Sequence, residues 1–135
     1  MTGEGASNNC EVIKRIMLVD DNPAIRRALH HVFEFSPDWD ICGEAANGRE
    51  GVEKAKALHP DLIVMDVSMP VMNGLEAARV IHETMPSTLV ILCSLHTDDA
   101  LRFEARQAGV RAIVSKTQNM QMLVSKAREL LQKAN

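Results

Sequence analysis

The stretch Ile16-Met-Leu-Val-Asp-Asp-Asn-Pro23 decides the fold. Its first four residues are apolar without alternation, as in a strand covered on both faces. Two acids follow at once. Asn22 then offers a helix cap, and Pro23 fits the first helical position, where a missing N–H costs nothing. Beyond it Ile25, Leu29, Val32 and Phe33 recur at helical spacing, so a strand passes into a helix through an acidic turn.

Working outward, the same unit returns four more times. Apolar runs lie near Ile41–Cys42, Leu62–Val64, Leu89–Leu92 and Ala112–Val114. Asn47-Gly-Arg-Glu50 and Asn73-Gly-Leu-Glu76 open helices in the manner of a capping box. The third helix places Leu75, Ala78, Ile81 and Met85 inward and stops at Pro86. The fourth starts after Thr97 with Asp98 and Asp99, presents Leu101, Ala105 and Ala108, and ends at Gly109. The last carries Leu123, Ala127, Leu130 and Leu131. Five strand-then-helix units predict a doubly wound α/β domain with a parallel sheet.

Composition bounds the rest. The chain has 135 residues, enough for one domain, and 46% are hydrophobic, so a core can form without staples. Fifteen basic residues stand against 18 acidic ones, and aromatics make up 3%, so neither a basic nucleic-acid face nor a base-stacking platform is expected. No apolar run is long enough for a membrane span. Residues 1–11 lack the basic start and apolar middle of a signal peptide and read as a flexible polar tail, with the domain over 12–135. Cys10, Cys42 and Cys93 show no CxxC pattern and fit free thiols in a reducing cytoplasm. The histidines have no zinc-ligand spacing.

In such a sheet, chemistry gathers beyond the carboxyl ends of the strands. Asp20 and Asp21 follow the first run, Asp66 the third, Ser94 the fourth and Lys116 the fifth. Each alone is an ordinary turn or cap residue. Together they form a set: clustered carboxylates repel one another and bind a hard divalent cation such as Mg²⁺. A carboxylate can also attack phosphorus. An ammonium and a hydroxyl then answer the charge on the phosphoryl oxygens.

These residues resemble the receiver domains of two-component response regulators. The matching text is Met17-Leu-Val-Asp-Asp-Asn-Pro23, Asp61-Leu-Ile-Val-Met-Asp-Val-Ser-Met-Pro70, Asn73-Gly74, Leu92-Cys-Ser94 and Val114-Ser-Lys116. Glu44-Ala-Ala-Asn-Gly48 and Ser94-Leu-His-Thr-Asp-Asp99 look most like the NarL/FixJ group, which precedes LuxR-type DNA-binding domains. The resemblance implies a flavodoxin-like (βα)5 fold with strand order 2-1-3-4-5. It implies that Asp66 accepts a phosphoryl group from a sensor histidine kinase or a phosphotransfer protein. Asp20, Asp21, Asp66 and the backbone carbonyl of Ser68 would hold Mg²⁺. Ser94 would be the switch hydroxyl and Lys116 the phosphate-binding ammonium. The domain would be a cytoplasmic phosphoacceptor switch, not an enzyme beyond its own phosphorylation and dephosphorylation. A second copy of the chain is a further candidate partner, and neither nucleic acid nor membrane is expected to bind this domain directly. No output domain follows the last helix, so the chain reads as a receiver standing alone or one cut from a longer regulator.

Two departures stand out. Ser94 replaces the family's frequent Thr, and Ile113 occupies the position of an aromatic switch residue three before the lysine. The alternative reading is a phosphorylation-independent interaction module, whose signature would be a lost acid or lysine. A haloacid-dehalogenase-type phosphatase would need a second carboxylate where Ser68 stands. A flavin binder would not place Asp20 and Asp21 where a phosphate must sit.

Overall fold

The computed structural model describes residues 13–116 and 120–133, so the expected tail over 1–11 lies outside the described residues. Five parallel strands form one sheet: β1 (Lys14–Val19), β2 (Trp39–Ala45), β3 (Leu62–Asp66), β4 (Leu89–Ser94) and β5 (Ala112–Ser115). Their order is β2-β1-β3-β4-β5, as the resemblance to receiver domains implies. The helices between them are α1 (Pro23–Phe33), α2 (Gly48–Leu58), α3 (Gly74–Thr84), α4 (Asp99–Gln107) and α5 (Met120–Lys133).

The sheet separates two apolar cores. Ile16, Leu18, Leu62, Val64, Ile91, Cys93 and Val114 face Leu29 and Phe33 of α1 and Leu123, Ala127 and Leu131 of α5. Met17, Val19, Ile63, Met65, Val90 and Leu92 face α2, α3 and α4. The unbroken apolar runs in β1, β3 and β4 are explained by this double cover. Met65 belongs to the second core and Met69 and Met72 pack against it, so these methionines are packing residues.

Caps follow the sequence closely. The Asn22 side chain accepts from the amides of Ala24 and Ile25, and Asn73 and Glu76 close a full capping box. At α2 Asn47 accepts from Glu50, but the Glu50 carboxylate reaches Ala46, one residue before the cap. Gly109 follows α4 with φ +83°, the left-handed geometry of a helix end.

Two expectations need correction. The second strand is longer than Ile41–Cys42, because polar Asp40 and Glu44 interrupt the apolar signal on this edge strand. Trp39 is its first residue. It is buried against Phe33, with the Arg128 guanidinium 4.4 Å above its ring. The register with β1 skips Cys42, a bulge between the Ile16 and Met17 pairings. The second correction concerns the end of the third helix, since Met85 packs against the second core as expected but from outside the helix. It is the half-buried residue after that helix, with φ −139°, because the residue before a proline is pushed out of the helical region.

Candidate functional site

Strand register places the polar residues together. Val19 lies opposite Met65 between β1 and β3, and Asp66 opposite Cys93 between β3 and β4. Ser94 lies opposite Ser115 between β4 and β5, and the Lys116 amide donates to the Ser94 carbonyl. The ends of β1, β3, β4 and β5 therefore finish at one edge, where β3 and β4 present their last residues, Asp66 and Ser94, and β1 and β5 the residues that follow them, Asp20 and Lys116.

One carboxylate oxygen from each of Asp20, Asp21 and Asp66 lies within 4.8 Å of the others. Asp20 and Asp66 are buried and Asp21 is exposed. Lys116 enters from the far strand. Its Nζ is 2.9 Å from Asp66 Oδ1 and 3.1 Å from Asp20 Oδ2. The other oxygen of Asp20 accepts from the Asn22 amide. Burial, then the charges of Asp20 and Asp21, push the Asp66 carboxyl above its ordinary value against the pull of Lys116. Burial alone would lower Lys116, but its bonds to Asp66 and Asp20 outweigh it, and the ammonium is held above the usual lysine range. Beside them burial pushes the Cys93 thiol up to about 12, so it stays protonated.

The acid set fits a hard cation. It offers three oxygens at close range, one of them on the exposed Asp21, where water can complete an octahedral shell. Ser68 is exposed in the loop after β3. That loop is pinned at several points: the Gly74 amide donates to the Val67 carbonyl, and the Gly48 amide to the Met72 carbonyl. Between them the Met72 amide bonds the Pro70 carbonyl across Val71, which sits at φ 70°. That conformation is strained for a β-branched residue.

Ser94 is placed at the edge, but its hydroxyl is engaged elsewhere. Its Oγ donates to the His96 carbonyl at 2.7 Å and accepts from the His96 amide at 3.2 Å. Ile113 is half-buried and packs against the second core. Sequence reasoning missed Arg26, whose guanidinium donates to the Asp20 carbonyl and lies 3.4 Å from Glu44. Its position six residues after Asp20, on the first turns of α1, was the available signal.

The fold and the acid edge define a doubly wound α/β domain with an acidic pocket at the carboxyl edge of its sheet. Residues 16–128 match the family described as response regulator receiver domain, and the chain belongs to that family. It is 39% identical over 103 residues to the chemotaxis protein CheY of Thermotoga maritima, covering 76% of this chain and 85% of that protein. It is 38% identical over 120 residues to a protein-glutamate methylesterase/protein-glutamine glutaminase of Methanosarcina acetivorans. That alignment covers 88% of this chain and 34% of the relative, so the chain spans about a third of that relative's length. Among solved structures, a LuxR-family response regulator from Aurantimonas superposes with a TM-score of 0.85 at 30% identity, covering 90% of this chain and 86% of that one. Receiver domains are switch domains of two-component systems that work with kinases, phosphotransfer proteins and output domains. Among the described residues no helix is long and apolar enough to cross a membrane.

Proposed function

We propose that Asp66 accepts a phosphoryl group from a histidine kinase or a phosphotransfer protein in the cytoplasm, and that the product changes which surfaces this domain offers to partners. The observation that carries this reading is the pairing of one ammonium with two buried carboxylates, Asp20 and Asp66, beside a third acid, Asp21. A bond forms between an Asp66 carboxylate oxygen and phosphorus as the P–N bond of a phosphohistidine breaks, and the leaving imidazole nitrogen takes up a proton. Asp20, Asp21 and Asp66, with the Ser68 carbonyl, would hold Mg²⁺, which neutralises charge on the phosphoryl oxygens. Lys116 is the protein's own cation for those oxygens, already 2.9 Å from the nucleophile. The Ser94 hydroxyl would leave His96 and donate to the new phosphoryl group.

The test is intact-mass measurement after incubation with Mg²⁺ and acetyl phosphate. One phosphoryl group should be added to the wild type. Asp66→Asn keeps the shape and removes the nucleophile, so labelling of that variant at wild-type level overturns the assignment.

A further inference from the structure

Asp21 differs from its two neighbours in how it is held. Asp20 and Asp66 are fixed by Lys116, and Asp20 by the Asn22 amide as well. Asp21 is exposed, and no hydrogen bond from a described residue fixes its carboxylate. Its direction therefore depends on the peptide that joins it to Asp20.

That peptide is held at its carbonyl, and the peptide before it is tied by its amide to the end of β2. The Asp20 amide donates to the Ala45 carbonyl at 3.1 Å. The Asp20 carbonyl accepts from Arg26 Nη1. Arg26 is itself anchored, with Nε 3.4 Å from Glu44 Oε1. The second Glu44 oxygen lies 2.8 Å from His30 Nδ1, and the Glu44 carbonyl accepts from Lys54 at 2.6 Å. A planar guanidinium can hold a carbonyl and a carboxylate in fixed directions at once, which a lysine ammonium cannot do with the same geometry.

We infer that Arg26, held by Glu44, is a positioning residue for the acid cluster, fixing the Asp20–Asp21 peptide so that the Asp21 carboxylate faces Asp66. This rests on the reading of the three acids as a Mg²⁺ site. Charge alone makes the opposite prediction. A cation near the acids opposes Mg²⁺, so removing it should tighten binding if Arg26 acted only through space. Positioning residues behind metal ligands typically contribute tenfold or more to affinity.

The experiment is calorimetric Mg²⁺ titration of the full chain, with Arg26→Lys, Arg26→Met and Asp21→Ala in parallel. Arg26→Lys keeps the charge and should still lose roughly tenfold in affinity, and Arg26→Met should lose at least as much. Amide exchange in the metal-free protein should quicken at Asp21 and Asn22, with the core strands unchanged. Wild-type affinity in Arg26→Lys, or tighter binding in Arg26→Met, overturns the inference. Faster exchange spread evenly over the whole protein also overturns it, since that marks a merely structural role. Absence of binding by the wild type, or no effect of Asp21→Ala, instead overturns the metal-site reading itself and the inference with it.

Discussion

Lys116 Nζ stands 2.9 Å from Asp66 and 3.1 Å from Asp20, bridging the ends of β5, β3 and β1 across the carboxyl edge of the sheet. The acids are almost wholly buried and the lysine is only 19% exposed, so water screens this bridge weakly.

Lys116→Met should therefore destabilise the metal-free protein, by roughly 3 kcal/mol, because it leaves buried carboxylates facing one another without a cation. Added Mg²⁺ should recover more stability in the variant than in the wild type. Urea melts with and without Mg²⁺ measure both. Equal Mg²⁺ responses would show that the ammonium and the cation do not share a role.

Asp66 gives the metal-free protein a pH signature. Its carboxyl is raised above the ordinary value of 3.8, chiefly by burial. Just above that value the folded state holds a proton that the unfolded chain has released. Stability must therefore fall as pH rises through this range. Asp66→Asn should remove that fall and be the more stable protein at neutral pH. Urea midpoints across the acidic range, without Mg²⁺, decide it. A wild-type slope preserved in Asp66→Asn would place the effect on another group.

Gly74 is packed closely against the Asp66 backbone. A Cβ there would lie 2.3 Å from the Asp66 carbonyl oxygen and 3.0 Å from Val67 Cα, so backbone must move. Gly74→Ala should cost roughly 1–3 kcal/mol and also slow phosphorylation by acetyl phosphate. Gly109→Ala is the comparison. Its φ of +83° and the His82 ring 2.3 Å from the new Cβ should destabilise the fold, with the acid edge left intact. Slowing of both variants to the same degree would mean that lost stability, not displaced geometry, is being read.

The Ser94 hydroxyl has one hydrogen to donate, so a bond to a phosphoryl group takes it from the His96 carbonyl, and turning the hydroxyl toward the site draws its oxygen away from the His96 amide. Beryllofluoride with Mg²⁺ should therefore speed amide exchange at His96. Ile113 is β-branched, stiff at χ1 and packed against the second core, so the change there should be small. Exchange mapping over residues 94–116 checks this. A protection change centred on Ile113 would show that an aliphatic residue can carry the switch.

The strand-helix order was legible because the apolar runs of β1, β3 and β4 are continuous, and the acid edge because each polar residue falls within two positions of the end of its run. Asp20, Asp66 and Lys116 could be placed together from that rule alone. Other features depend on three-dimensional detail. Asp40 and Glu44 hid the length of β2 on its exposed edge. Arg26 reads as any helical arginine until the chain folds Glu44 beside it. The engagement of Ser94 with His96 is a choice between hydroxyl partners that spacing does not record.

The two buried clusters have no residue in common, since alternate side chains of each central strand are dealt to opposite faces. Volume lost on one side cannot be refilled from the other. An enlargement at Leu29 can be accommodated by shrinking Leu123 or Ala127, but never by trimming Ile81 or Ala105. The sheet thus works as a bulkhead: apolar sequence on the α1–α5 side can drift independently of apolar sequence on the α2–α4 side, while the acid edge, where the strand ends meet, is shared by both.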